Sequence, residues 1–245
     1  MIVAIVQARM GSTRLPNKVF KNLCGRPLIW HIINRIKNSQ KIEKIILATT
    51  KNPNDDVLED WAIANDVPCY RGSEEDVLDR FYKAAQLFKA DIIVRITADD
   101  PFKDSLIIDQ VIDLLKKGNL DFAYNNNPPT FPEGLDVEVF TFRSLERAWA
   151  DAKDPFEREH VTQYFYRNHE LFKQKCLTYH ENLSYLRWTI DTQSDWDMVE
   201  IVYNELFPLK ENFHMVDILD LLRQMPEIAK MNVMVKRSVM YDNNK

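Results

Sequence analysis

The chain of 245 residues is poor in cysteine and has neither a long basic run nor a long apolar run. Its three cysteines, Cys24, Cys69 and Cys176, lack metal-ligand spacing, and their odd number argues against a disulfide framework. A bilayer-spanning helix needs roughly 20 consecutive apolar residues, so no membrane span is expected. Because the net charge is -5, nucleic-acid binding is not expected either. Met1 leads directly into an apolar run, without the basic segment of a signal peptide, which predicts a cytoplasmic protein.

The composition is that of a globular protein, with 45% hydrophobic and 28% charged residues. The length suits one large domain, which we predict for residues 1–235, followed by a polar tail at 236–245. In an acidic protein of this kind, an anionic ligand has to be held by locally placed cations or a metal ion.

Strand and helix patterns alternate through the first half of the chain. Continuous apolar runs rich in β-branched residues predict buried strands at 2–8, 44–49 and 92–96. A short strand is expected at 69–70. Amphipathic patterns predict helices at 27–37, 55–65, 76–88 and 105–117. This alternation predicts right-handed βαβ units and an α/β fold with a doubly wound, mostly parallel sheet.

The alternation ends after residue 124, where Asn and Pro dominate a loop at 125–134. Long loops in compact domains are often functional, so we expect residues 125–185 to form a small inserted region. Its predicted elements and those that follow are a strand at 137–142, helices at 144–152 and 155–168, a strand at 185–190, and helices at 195–206 and 216–224.

The loop after the first strand concentrates positive charge. Arg9, Arg14 and Lys18 bring three cations to it, beside Gly11 and the hydroxyl donor Ser12. Ligands of open α/β sheets bind at the carboxyl ends of strands, and a triphosphate needs such cations. The alternative is a solvated basic loop. Neither the P-loop pattern nor the dinucleotide-binding glycine pattern is present.

Four stretches of the chain resemble the sugar-activating cytidylyltransferases, in the expected order. The first is Arg-x-Gly-Ser-x-Arg-Leu-Pro-x-Lys at 9–18, and the others lie at 95–101, 133–140 and 158–162. The similarity is greatest to the branch named after spore coat polysaccharide biosynthesis protein F. The resemblance implies a glycosyltransferase-A-like nucleotide-binding sheet, CTP as donor, Mg²⁺, release of pyrophosphate and a homodimer. It also assigns the inserted region at 125–185 to the acceptor and to dimerisation.

The same resemblance assigns roles to residues of the first loop. It places Ala8 and Arg9 by the base, and Arg14 and Lys18 on the phosphates as the catalytic cations. Gly11 and Ser12 belong to the same predicted nucleotide site. Thr97, and Arg71 after the short strand, are further candidate nucleotide contacts.

Acidic residues follow two predicted strands. Asp99 and Asp100 come just after one, and Asp191 ends another. Mg²⁺ prefers carboxylate oxygens and substrate phosphates, so Asp residues from separate strands can supply its site. The resemblance selects Asp99 over Asp100, giving Asp99 and Asp191 as the predicted metal ligands. The alternative is that Asp99 is a turn residue and that Asp191 caps a helix.

The acceptor pocket is predicted from Glu133, Asp136, Arg158 and His160. Arg158 can receive a carboxylate or phosphate, although a surface salt bridge is an equally simple role. A lone helical histidine such as His160 is often only structural.

These residues predict transfer of CMP from CTP to a sugar acid or phosphorylated sugar-like acceptor, in surface polysaccharide or glycan biosynthesis. The reaction is an in-line attack on the α-phosphorus, assisted by Mg²⁺, Arg14 and Lys18. Two alternatives remain open: a glycosyltransferase that uses a nucleotide-sugar donor, and a non-catalytic nucleotide-binding module.

Overall fold

The computed structural model describes residues 1–12 and 14–236. The strands are β1 (Ile2–Gln7), β2 (Asn22–Leu23), β3 (Arg26–Pro27), β4 (Lys44–Thr50), β5 (Cys69–Gly72), β6 (Ile92–Thr97), β7 (Phe122–Tyr124), β8 (Glu138–Thr141) and β9 (Gln174–Cys176). The helices are α1 (Leu28–Ile36), α2 (Asp56–Ala64), α3 (Val77–Leu87), α4 (Ser105–Gly118), α5 (Phe142–Asp151), α6 (Pro155–Glu159), α7 (Gln163–Arg167), α8 (Gln193–Leu206) and α9 (Met215–Gln224).

Seven of the strands form one sheet in the order β5-β4-β1-β6-β8-β7-β9. β5, β4, β1 and β6 are mutually parallel, as the alternation of strands and helices predicts. β8 runs antiparallel to both β6 and β7, and β9 returns parallel to β7. The predicted α/β fold with a mostly parallel, doubly wound sheet is therefore confirmed.

Helices cover both faces of the sheet. The side chains of β1 alternate between the faces, with Ala4 and Val6 in one apolar cluster and Val3 and Ile5 in the other. Residues of α1, α4, α8 and α9 pack in the first cluster, and residues of α3, α5 and α7 pack in the second. Because both faces are covered, the carboxyl ends of the parallel strands provide an edge at which polar loops can gather.

Two predicted elements differ from the structure. The helix expected at 155–168 is divided into α6 and α7, because Val161 has φ 46° and lies in the left-handed region. Burial of the Val161 side chain in the second cluster offsets that strain. The strand expected at 185–190 is an extended segment with a single bridge, between Glu133 and Arg187. Of the predicted tail, residues 237–245 lie outside the described residues.

No helix within residues 1–12 and 14–236 has the length and apolar character needed to cross a bilayer.

Candidate active site

The loop after β1 is held in place by a buried acid from another loop. The Met10 amide donates to Asp55 Oδ1 at 2.7 Å, and Asp55 also accepts from the hydroxyl of Thr50 at the end of β4. Ser12 Oγ lies 3.4 Å from the Leu15 amide that donates to it. Thr13 lies outside the described residues. These contacts fix the loop over the carboxyl edge of the sheet.

A cavity of about 970 Å³ opens at this edge. It is lined by most of the residues selected from the sequence. These are Ala8, Arg9, Gly11, Ser12, Arg14, Lys18, Thr97, Asp99, Glu133, Asp136, His160 and Asp191. The fold thus brings the loop after β1, the acids Asp99 and Asp191, and most of the predicted acceptor residues to one cavity.

Lys18 lines the cavity and lies between the two predicted metal ligands. Its Nζ is 3.2 Å from Asp99 Oδ2, 3.4 Å from Asp191 Oδ1 and 2.6 Å from the carbonyl oxygen of Ile190. Burial alone would lower the pKa of Lys18, but the two carboxylates raise it above its ordinary value. Lys18 is therefore a cation that joins the loop after β1 to Asp99 and Asp191.

The other two cations of the loop also contact acids. Arg14 Nη2 lies 2.9 Å from Asp191 Oδ1, and its side chain is 59% exposed. Arg9 Nη1 lies 3.3 Å from Glu74 Oε1, and both of these side chains are largely solvent-accessible. Exposed pairs of this kind are weak, so either arginine can change partners at little cost.

Asp99 and Asp100 have different environments. Burial tends to raise the pKa of Asp99, but the Lys18 ammonium lowers it below its ordinary value. Burial raises the pKa of Asp100 to about 6, against the opposing effect of Lys103. Asp100 Oδ2 already accepts from Thr97 at 2.7 Å and lies 2.8 Å from Lys103 Nζ. Asp99 thus shares Lys18 with Asp191, whereas Asp100 is bound to Thr97 and Lys103.

The opposite wall is organised by Glu138 of β8. Arg95 Nη1 lies 2.5 Å from Glu138 Oε2, and the hydroxyls of Thr162 and Tyr166 lie 2.9 and 2.8 Å from Oε1. His160 is beside them; burial lowers its pKa, Arg95 lowers it further and Glu159 opposes both. This wall presents hydroxyl, carboxylate and neutral imidazole groups, whereas the loop after β1 presents cations.

A family model described as cytidylyltransferase matches residues 3–239. The chain belongs to the cytidylyltransferase family. It is 34% identical over 83% of its length to the spore coat polysaccharide biosynthesis protein SpsF of Bacillus subtilis, covering 87% of that protein. An uncharacterized protein of Methanocaldococcus jannaschii is 40% identical, with 96% of both chains covered. A solved cytidylyltransferase of Leptospira borgpetersenii superposes with a TM-score of 0.88 at 34% identity, covering 93% of this chain and 96% of that one.

Two residues selected from the sequence lie outside the cavity wall of this cytidylyltransferase. Arg71 donates to the carbonyl oxygens of Thr50 and Asn52 and pairs with acids of α2. Arg158 pairs with Asp76 at 2.7 Å and donates to the carbonyl oxygens of Trp149 and Ala152, at the end of α5. Their guanidinium groups join loops and helices, so the structure does not bring either residue to the cavity.

The sequence reasoning missed the charged wall residues Arg95, Lys103 and Glu138, and it also missed Arg187, which contacts the wall residues Glu133 and Asp191. Arg95 gave a signal, since it interrupts the apolar run of β6. Lys103 is 1% exposed and follows Asp100 by three residues, but nothing in the local pattern marks it as buried. The position of Arg187 depends on contacts with loops distant in sequence, which no local pattern reveals.

Proposed function

We propose that this protein transfers CMP from CTP to a sugar acid or a phosphorylated sugar-like acceptor, with release of pyrophosphate. The observation that carries the proposal is the meeting of Arg14 and Lys18 with Asp99 and Asp191 at one point of the cavity. Cations suited to a triphosphate and acids suited to a divalent cation lie in contact there. A nucleotidyltransferase needs both at the α-phosphate.

The donor set fits Mg²⁺. The carboxylate of Asp99, which follows β6, and that of Asp191, which precedes α8, converge on the same ammonium, at 3.2 and 3.4 Å. Among the described residues, no group of three or more His, Cys, Asp or Glu side chains is arranged to hold a metal ion. A pair of carboxylates completed by phosphate oxygens and water is the usual protein contribution to a Mg²⁺ site. Asp99 and Asp191 would hold the ion, which when bound supplies positive charge to the phosphates.

The protein's own groups account for binding and orientation. Arg14 and Lys18 contact carboxylates whose charge a bound divalent cation would offset, which would leave both side chains available to the phosphates of the donor. Their charge then stabilises the negative charge that develops on the leaving pyrophosphate. The acceptor oxygen attacks the α-phosphorus, the bond to the bridging oxygen breaks, and the pyrophosphate leaves in line.

The acceptor is proposed to bind the wall formed within residues 125–185, where Glu133, Asp136 and His160 line the cavity. The nearby cations Arg95 and Lys103 are each paired with an acid, at 2.5 and 2.8 Å. Hydroxyl groups of a sugar-like acceptor suit the carboxylates and neutral imidazole of this wall. We place the reaction in surface polysaccharide or glycan biosynthesis, and we expect a homodimer, which light scattering in solution can test.

The test is a screen of sugar acids and phosphorylated sugars with CTP and Mg²⁺, followed by ³¹P NMR. We expect pyrophosphate and a CMP conjugate with at least one acceptor. Formation of a nucleoside diphosphate from a nucleotide-sugar would instead indicate a glycosyltransferase. Tight CTP binding with no product over the whole panel would favour a nucleotide-binding module. In the active reaction, omission of the divalent cation or addition of EDTA should stop product formation.

A further inference from the structure

Arg187 lies beneath the cavity and contacts three carboxylates at once. Its Nη1 is 3.0 Å from Glu133 Oε2, its Nη2 is 2.8 Å from Asp191 Oδ2, and its Nε is 2.9 Å from Asp195 Oδ1. The side chain is only 5% exposed. One guanidinium thus joins a proposed metal ligand, a proposed acceptor residue and the acid that caps α8.

The two oxygens of Asp191 are held in different ways. Oδ2 contacts the buried Arg187, whereas Oδ1 contacts Lys18 and the exposed Arg14. A planar guanidinium that is already fixed by two other acids holds Oδ2 in one direction. Arg14 and Lys18 are the groups expected to move to phosphate, so Oδ1 is the oxygen that can exchange a cation of the protein for a divalent ion.

The segment that carries Arg187 is also fastened to the acceptor wall through the backbone. The Trp188 amide donates to the carbonyl oxygen of Glu133 at 2.7 Å, and the Glu133 amide donates to that of Leu186 at 2.9 Å. Gly134 has φ 105°, and a Cβ there would lie 2.8 Å from the Trp188 carbonyl carbon. The contact therefore needs glycine, and it keeps Glu133 and Arg187 in register.

We propose that Arg187 is a positioning residue that aims Asp191 at the divalent cation and links it to Glu133 of the acceptor wall. This inference rests on the proposed function, because it takes Asp191 as a metal ligand. Groups that orient the ligands of a metal commonly change metal affinity by about tenfold to a hundredfold when they are altered.

A purely structural role is the alternative, and the network itself offers a control. Asn232 donates to the Arg187 carbonyl oxygen and to Asp195 Oδ1, both at 2.9 Å. Asn232→Ala therefore loosens the same buried network without removing the contact with Asp191. Arg187→Lys keeps the positive charge but cannot reproduce the fork that reaches three acids.

The experiment measures Mn²⁺ binding by electron paramagnetic resonance, with CTP present and no acceptor, together with the melting temperature of each variant. Arg187→Lys should weaken Mn²⁺ binding by about tenfold or more. Asn232→Ala should lower the melting temperature and leave Mn²⁺ affinity unchanged. Equal Mn²⁺ affinity in wild type and Arg187→Lys would overturn the inference, as would an equal loss of affinity in Asn232→Ala.

Glu133→Gln provides a test if Arg187→Lys does not fold, because it is nearly isosteric. Removing the Glu133 charge frees the Arg187 guanidinium from one of the acids that fix it, so Asp191 is aimed less well and Mn²⁺ binding should weaken. Unchanged binding would contradict the link between the two residues. If wild type with CTP binds no Mn²⁺ at all, the metal site of the proposed function fails. If wild type binds Mn²⁺ and the variants match it, only the role of Arg187 fails.

Discussion

Lys18 Nζ lies 3.2 Å from Asp99 Oδ2, although 81 positions separate the two residues in the sequence. Their strands, β1 and β6, are adjacent and parallel, so the loops that follow them meet at the same edge of the sheet. In the proposed reaction, this lysine is the cation that exchanges its acidic partners for the phosphates of the donor. The proposed transfer of CMP depends on this juxtaposition.

Lys18→Gln should lower turnover by orders of magnitude while the protein remains folded. Loss of one preorganised charge donor at a transition state costs about 3–4 kcal/mol. Lys21→Gln is the matched control, because Lys21 lies close by in sequence but stacks on Trp196, outside the cavity wall. Turnover is measured as pyrophosphate release with an acceptor from the screen. Similar turnover in both variants would remove Lys18 from the phosphate site.

Asp99→Asn and Asp191→Asn should each abolish turnover that depends on Mg²⁺. Each variant replaces a carboxylate oxygen that the hard cation prefers with a neutral amide. Asp197→Asn on α8 is the control, since this residue does not line the cavity. Rates are compared over a Mg²⁺ titration. Full activity of either variant at low Mg²⁺ would show that its carboxylate is not a ligand, and Asp100 would be examined next.

Arg158→Gln should reduce stability more than catalysis. Its guanidinium joins Asp76 to the carbonyl oxygens of Trp149 and Ala152 at the end of α5, and the side chain is 22% exposed. Losing hydrogen bonds of a charged group costs about 1.5–3 kcal/mol. Urea unfolding measures the loss, with the exposed Arg143→Gln as control. A large rise in the KM for the acceptor without loss of stability would place Arg158 in the acceptor site after all.

The His160 ring should be neutral at about pH 7, because burial lowers its pKa below the ordinary value of about 6.5. Protonation favours the unfolded state for such a group. Its contribution to stability is therefore present above about pH 6.5 and is lost as the pH falls through the folded pKa. ¹⁵N NMR of the ring follows the titration, and His160→Gln should remove its contribution. A ring that titrates above the ordinary value would contradict this environment.

The parallel half of the fold and the position of the loop after β1 were predictable from the sequence. β1, β4 and β6 are predominantly apolar runs, and each one is followed by polar residues that signal its end. Helices between them force parallel strands, so the convergence of Lys18 and Asp99 follows from local patterns and general topology.

The rest depends on contacts that local patterns do not encode. Val161 has a left-handed backbone conformation that is stabilised by burial of its side chain. A β-branched residue gives no sequence signal for that conformation. Arg71 and Arg158 stand at positions that suggest ligand binding, but each one forms an ion pair with an acid of another element. The sequence gives no sign of a special role for Arg187, which precedes Asp191 in the chain. Its proposed role depends on the contacts with Glu133 and Asp195 that the fold creates.

The preference for CTP tests the central claim most directly, because it does not require the acceptor. Cytosine presents an amino donor where uracil presents a carbonyl, so a site built for cytosine leaves an unpaired acceptor with UTP. An unpaired buried polar group costs about 1–3 kcal/mol, or roughly tenfold to a hundredfold in affinity. Calorimetric titration with CTP, UTP, ATP and GTP in the presence of Mg²⁺ should give the tightest binding for CTP by that margin. Equal affinity for all four nucleotides, or tighter binding of a purine nucleotide, would contradict the account.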